Sequence, residues 1–143
     1  NVRFELPIEH VVSEHFDTAV AMETLAVGDV NIGQRLGVDI GPSTVSHYAQ
    51  SLRDAGTIIW NGPMGVFETP AFSTGTRALA RAVADASGVT IVGGGDSISA
   101  VRQAGVLDQI THVSTGGGAV LEFLAGKTLP GLAALPDRIT SDF

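Results

Sequence analysis

The sequence predicts an α/β fold with a Rossmann-like, three-layer parallel sheet, and three stretches carry that expectation. Thr57-Ile-Ile-Trp-Asn-Gly-Pro63, Thr90-Ile-Val-Gly-Gly-Gly-Asp96 and Thr111-His-Val-Ser-Thr-Gly-Gly-Gly118 each run from a β-type segment into a glycine-bearing turn. A helical pattern follows each turn. Successive strand–loop–helix units wind a parallel sheet and leave their loops on one edge, where open α/β sheets bind ligands.

Taken in order, Leu6-Pro-Ile-Glu-His-Val-Val12 reads as one short strand. Residues 17–36 read as a connection with a short β ribbon. Val20, Met22, Leu25, Val27 and Val30 are apolar, but Gly28, Asn31 and Gly33 interrupt any helix. Gly37-Val-Asp-Ile-Gly-Pro42 reads as a tight loop leading into a helix from Ser43 to Ala55, where Val45, Tyr48, Ala49 and Leu52 recur at helical spacing before Gly56. Strand Thr57–Trp60 precedes the irregular Asn61-Gly-Pro-Met-Gly-Val-Phe-Glu68 and a helix from Thr76 to Ala86, with Leu79, Ala80 and Val83 on one face. Strand Val89–Val92 leads through glycines 93–95 to a helix begun by Asp96, a favourable N-cap residue type, with Ile98 and Val101 inward. Strand Thr111–Ser114 leads through glycines 116–118 to a helix from Ala119 to Gly126, and Leu129-Pro-Gly-Leu132 suggests a last helical turn. One early strand and three strand–helix units make a thin sheet, and the early strand has no obvious neighbour. The chain therefore reads as the later, C-terminal part of a larger α/β domain, with no linker dividing residues 1–143.

The bulk properties bound the function. With 143 residues, 44% hydrophobic and 16% charged, the chain is one domain's worth of globular sequence and not a disordered segment. A net charge of −7 argues against nucleic acid as a partner, because phosphate-tracking surfaces are basic. It leaves room for a small nucleotide held by backbone N–H groups and helix ends. No apolar run is long enough for a membrane span, and the opening Asn1-Val-Arg-Phe-Glu5 does not resemble a signal peptide. The sequence has no cysteine, hence no disulfide and no thiolate metal site.

The chemistry is expected at the glycine runs. Three glycines at the junction of strand and helix let anionic oxygens reach backbone N–H groups with no Cβ in the way, and the helix N-terminus adds a partial positive charge. In Gly93-Gly-Gly-Asp-Ser97, Asp96 either caps N–H groups or faces a bound cation, and the motif alone divides evenly between the two. Magnesium takes oxygen ligands, usually one or two carboxylates together with substrate phosphates. For Gly116-Gly-Gly118, close helix–strand packing is the plainer reading. Two triple-glycine runs at matching places favour anion binding instead. Glu68, by itself, reads better as a solvated loop carboxylate; a functional glutamate there would accept hydrogen bonds from a diol such as ribose. Asn61-Gly-Pro63 alone is an ordinary turn. His112 reads as a core or strand-edge histidine, and Lys127, the only lysine, suits a helix C-terminus. No P-loop, no Gly-x-Ser-x-Gly elbow and no His-Glu-x-x-His helix is present.

Trp60-Asn-Gly-Pro-Met-Gly-Val-Phe-Glu68, Val92-Gly-Gly-Gly-Asp-Ser97 and His112-Val-Ser-Thr-Gly-Gly-Gly-Ala119, in this order and spacing, resemble phosphoglycerate kinase. Gly37-Val-Asp-Ile-Gly-Pro42 and Leu129-Pro-Gly-Leu132 fit the same family. The resemblance covers nearly the whole chain and matches the later part of the family's C-terminal, nucleotide-binding domain. It implies a glycolytic enzyme that transfers a phosphoryl group reversibly from 1,3-bisphosphoglycerate to Mg-ADP, giving 3-phosphoglycerate and ATP. By motif position, Gly37 and Val38 would line the adenine site, Asn61 and Pro63 would lie along the nucleotide, and Glu68 would hold the ribose. Gly94, Gly95, Asp96 and Ser97 would serve the nucleotide phosphates, with Asp96 toward Mg2+. Gly116, Gly117 and Gly118 would offer N–H groups to the phosphoryl group in flight. Small-molecule substrates, a cytoplasmic location and a monomeric complete enzyme follow from the same resemblance, with neither nucleic acid nor membrane as partner. The family's basic N-terminal domain and the lysine-bearing first part of its C-terminal domain have no match here, so the chain alone is expected to be inactive and prone to self-association. Val120 stands where many members carry a small polar residue, and the tail 136–143 extends past the match. Two other readings stay open: a non-catalytic nucleotide- or anion-binding module, and a structural fragment that folds only when complemented.

Overall fold

A computed structural model describes residues 1–16 and 21–136. Val20 of the expected ribbon and the tail from residue 137 onward lie outside the described residues. Two three-stranded sheets carry the chain. The first is antiparallel, in the order β2–β1–β3, from β1 (Glu9–Ser13), β2 (Glu23–Ala26) and β3 (Leu36–Ile40). The second is parallel, in the order β4–β5–β6, from β4 (Thr57–Asn61), β5 (Val89–Gly93) and β6 (His112–Ser114). Helices α1 (Pro42–Leu52), α2 (Thr74–Ala84), α3 (Gly95–Ala104), α4 (Gly117–Leu124) and the short α5 (Pro130–Ala133), with single 3-10 turns at Val30–Ile32, Pro70–Phe72 and Leu107–Gln109, complete the described elements.

The parallel sheet is the α/β unit that the three strand–loop–helix stretches predict. Its strands alternate cleanly. Ile58, Trp60 and Val92 point into a core closed by Phe67, Ala80, Val83, Ile98 and Val101, so α2 and α3 cover that face. Ile59, Ile91 and His112 sit side by side on the other face, by the register Ile59↔Ile91↔His112. That face opens on an apolar groove of about 710 Å³, whose far wall is Phe123 and Leu124 of α4 and Leu129 and Leu132 around α5. Ile59 is 40% exposed there. Thr90 and Thr111 bind each other's backbone N–H through their hydroxyls, at 3.2 and 3.0 Å, and close the β5–β6 pair at its start.

The antiparallel sheet corrects the reading of the first third. Gly37–Pro42 is not a tight loop: residues 36–40 are a strand paired with β1, with Val11 opposite Asp39 and a bulge between Val11 and Val12. β1 therefore has neighbours on both sides. The apolar pair Val38 and Ile40 is buried against the rest of the chain. The interposed aspartate reads as a turn residue in sequence, but here its carboxylate is satisfied in the fold. Asp39 accepts from the backbone N–H of Ile40 at 2.9 Å and of Gly75 at 2.6 Å, with the Thr76 hydroxyl at 3.5 Å. No local side chain caps α2, and Asp39 supplies an acceptor for its first turn from another layer. The gain is a polar rivet between the antiparallel sheet and the helix that covers the parallel one. Three further bonds fasten the antiparallel sheet: Val66 N–H to the Val38 carbonyl at 2.8 Å, and, from Ile8 and Glu9 N–H, two to the Thr44 hydroxyl of α1 at 3.1 and 3.0 Å.

Asp39 is 4% exposed, and burial pushes its carboxyl above the ordinary aspartate value, against the hydrogen bonds from Gly75, Ile40 and Thr76 that lower it. Asp39→Asn replaces one acceptor oxygen by an NH2 group facing a donor, and should cost about 1–3 kcal/mol in urea denaturation. The pH dependence has a definite sign. Because the folded-state pKa is raised, the folded protein takes up this proton before the unfolded chain does. The Asp39 contribution to stability therefore grows as pH falls from above the raised value toward the ordinary one. The stability advantage of wild type over Asp39→Asn should widen on acidification through that window, measured by urea midpoints at a series of pH values.

Candidate functional site

The parallel register sets the carboxyl ends of β4, β5 and β6 in line, with Asn61 beside Gly93 and Gly93 beside Ser114. Three turns therefore leave one edge together: Asn61-Gly62-Pro63, Gly93-Gly94 into α3, and Ser114-Thr115-Gly116 into α4. They are tied to one another by direct bonds. Gly94 N–H donates to the Ser114 carbonyl at 2.9 Å. The Asn61 side-chain amide donates to the Gly117 carbonyl at 3.1 Å. Gly62 N–H donates to the Ser97 hydroxyl at 2.7 Å, and the Trp60 indole N–H donates to the Gly62 carbonyl at 2.6 Å.

Glycine is required at two places here. Gly94 has φ +94°, in the region that L side chains avoid. Gly117 lies so close to it that a Cβ would meet Gly94 Cα at 2.8 Å and Gly94 N at 3.2 Å. This contact brings the amino ends of α3 and α4 side by side. Neither helix has a side-chain cap, since its N-cap residue is Gly94 or Gly116. The first-turn N–H groups of a helix have no carbonyl one turn earlier to bind. Two uncapped helix ends with bare backbone thus converge on one edge and present donors and partial positive charge to an anion.

Two expectations need correction. Asp96 is not an N-cap: Gly94 holds that position, and Asp96 is the second residue of α3 with its side chain exposed. A carboxylate in the first turn still interacts favourably with the helix dipole. The helix after glycines 116–118 also does not begin at Ala119; Gly117 and Gly118 are already inside α4. Ser97 is 1% exposed and its hydroxyl is engaged by Gly62, so its side chain faces the protein.

The other expected residues fall into two groups. Gly37 and Pro63 line a common depression of about 450 Å³ with Pro7, His10, Met64, Asp39 and Ile40. Asn61-Gly62-Pro63 joins this depression to the glycine edge. Val38 is fully buried, its carbonyl already accepts from Val66, and it does not line the depression. Glu68 is exposed on the same irregular loop and does not line the depression. The large apolar groove shares only Ser114 and Gly116 with the site and lies on the other face of the sheet. No group of three or more His, Asp or Glu side chains among the described residues is placed to enclose a metal. Asp96 is a single carboxylate beside free helix donors, a donor set that suits magnesium carried in on phosphates rather than one caged by protein. Sequence reading overlooked Trp60 and Gly62; the indole directly before Asn-Gly-Pro was the available signal.

Gly117→Ala places a methyl into the Gly94 backbone and should destabilise by about 1–3 kcal/mol, the usual cost of overpacking, while driving the ends of α3 and α4 apart. Gly118→Ala meets nothing within 4 Å and should be near neutral. Thermal melts of the two variants check the contrast.

Residues 1–127 match the family model described as phosphoglycerate kinase. The phosphoglycerate kinase of Koribacter versatilis is 51% identical over 138 residues, and that of Roseiflexus sp. is 53% identical over 136 residues. These alignments cover 96% and 95% of this chain and 34% of each relative. Among solved structures, phosphoglycerate kinase from Coxiella burnetii superposes with a TM-score of 0.83 at 44% identity, over 90% of this chain and 33% of that one. The enzyme from Pyrococcus horikoshii superposes with a TM-score of 0.78 at 39% identity, over 90% of this chain and 31% of that one. The chain thus spans about a third of the length of these relatives, and with its matched motifs, its parallel sheet and its converging glycine edge it belongs to the phosphoglycerate kinase family.

Proposed function

We propose that this chain supplies much of the nucleotide side of a phosphoglycerate kinase, which transfers a phosphoryl group between 1,3-bisphosphoglycerate and Mg-ADP to give 3-phosphoglycerate and ATP. The observation that supports this most is the pairing of two uncapped helix ends at the Gly94–Gly117 contact. A phosphoryl group in transfer spreads charge over its equatorial oxygens, and fixed N–H donors stabilise that charge without a protein nucleophile. In this reading Gly95 offers its N–H to the nucleotide phosphates and Gly94 leaves room for them, its own N–H being taken by Ser114. Gly116, Gly117 and Gly118 face the group in flight, with Gly118 offering its N–H while those of Gly116 and Gly117 are engaged by Ser114 and Thr115. Gly37, Val38 and Pro63 border the base and sugar, Asn61 lies between the two regions, and Glu68 accepts from ribose hydroxyls. Magnesium, when bound with the nucleotide, neutralises phosphate charge; Asp96 is the residue that would hold it. Ser97 contributes its first-turn N–H, since its hydroxyl is spent on Gly62. A cytoplasmic, monomeric complete enzyme belongs to the same proposal.

Asp96→Asn tests the metal assignment, because it keeps the shape and removes the charge. In a complete enzyme carrying this segment, ADP titrations with and without Mg2+ should show metal-dependent affinity falling about tenfold, or about 1.4 kcal/mol, while metal-free affinity holds or rises. An unchanged magnesium dependence means that Asp96 is only a dipole-facing surface carboxylate.

The 143-residue chain alone should not turn over at a complete enzyme's rate, because positioning of both reactants accounts for roughly 7–11 kcal/mol of such barriers. A coupled ATP-forming assay checks this. The exposed groove lined by Ile59, Phe123 and Leu124 should also drive the isolated chain to self-associate, which sedimentation velocity reads directly.

A further inference from the structure

The two peptide groups that meet at the Gly62 Cα are each held by a side chain that the proposed chemistry does not use. The Gly62 N–H reaches the Ser97 hydroxyl at 2.7 Å and the Gly62 carbonyl receives the Trp60 indole N–H at 2.6 Å. Both holders are anchored in the core: Trp60 is 5% and Ser97 1% exposed, one on a central-face position of β4 and the other in the first turn of α3. The residue between them has φ +99°, a backbone with no side chain of its own to fix it. Asn61 and Pro63 flank that residue, and each faces a different part of the edge: Asn61 bonds Gly117 of α4, whereas Pro63 lines the depression shared with Gly37.

We propose that Trp60 and Ser97 are positioning residues that act as a two-point clamp on the peptide planes on either side of Gly62, setting where Asn61 and Pro63 stand relative to the glycine edge. The proposal rests on the nucleotide reading of that edge, but the clamp itself is a statement about this chain's own bonds. With the Asn61–Gly62 plane held by Ser97 and the Gly62–Pro63 plane held by Trp60, neither φ nor ψ of Gly62 can turn freely. Release of either plane frees the φ > 0 glycine to turn, and Asn61 and Pro63 turn with it. The two bonds restrain the same motion, so their removal is not additive.

The test uses a complete enzyme made by joining this chain to the remaining two-thirds of the Koribacter versatilis relative. Trp60→Phe keeps the buried ring and deletes the N–H; Ser97→Ala deletes the acceptor. Two readouts are taken: amide hydrogen exchange at Gly62 without nucleotide, and KM for ADP against kcat. Gly62 should exchange at least tenfold faster in Trp60→Phe and in Ser97→Ala, and KM for ADP should rise about five- to tenfold in each. The double variant should be little worse than the worse single one. A merely structural role lowers the concentration of folded enzyme, and so the apparent kcat, with KM unmoved; that outcome overturns the clamp, as do single effects that multiply in the double variant. If the unsubstituted enzyme itself shows no turnover, the nucleotide reading falls, and Gly62 exchange still decides the clamp: unchanged exchange in both single variants overturns it.

Discussion

The approach of Gly117 to Gly94 is the contact on which the site depends. Two helices can bring their amino ends together on one sheet edge only if the backbones meet without Cβ atoms between them, and here a single added methyl would lie 2.8 Å from a Cα. The absence of side chains at both N-caps is the other half of that constraint. It leaves the first-turn donors without a side-chain cap, at a cost in helix stability that an N-cap serine or aspartate would have avoided, although at α4 the Gly117 N–H meets the Thr115 carbonyl at 3.2 Å. The arrangement trades local helix stability for an edge that is electropositive in a chain of net charge −7.

The edge is held in place by bonds from three directions. Parallel pairing sets the heights of the strand ends, Gly94 to Ser114 and Asn61 to Gly117 lock neighbouring turns, and the peptides on either side of Gly62 are gripped by side chains rooted in the core. The antiparallel sheet adds to this from outside. Asp39 reaches across to the first turn of α2, and the Val38 carbonyl takes the Val66 amide, so the irregular 62–69 loop is fastened to a layer with different strand directions. Sites placed on rigid elements in this way keep their donors aimed without paying for reorganisation when charge develops.

The two faces of the parallel sheet are treated unequally. One is sealed by α2 and α3; the other presents Ile59, Ile91 and His112 to a groove walled by α4 and the Leu129–Leu132 turn. Relatives three times as long share this segment's fold at TM-scores of 0.83 and 0.78, so the segment keeps its architecture while leaving apolar surface uncovered among the described residues.

Period and glycine placement carried the parallel half of the fold in the sequence itself. Alternation in Thr57–Trp60 and Val89–Val92, helical spacing in 76–86 and triple glycines at two strand ends are local signals, and each strand was located to within a residue. The family was legible for the same reason, since its motifs are long, contiguous and in order. What local signals could not decide was anything settled by a distant partner. β3 is a strand because β1 pairs with it and because Gly75 and Ile40 satisfy a buried Asp39; read alone, Gly-Val-Asp-Ile-Gly-Pro has the composition of a turn. Asp96 has the right residue type for a cap, yet Gly94, two residues earlier, takes the cap, where its backbone meets Gly117. Ser97 points inward for the same reason, since its partner Gly62 is distant in sequence and is brought near only when the turns after β4 and β5 share one edge.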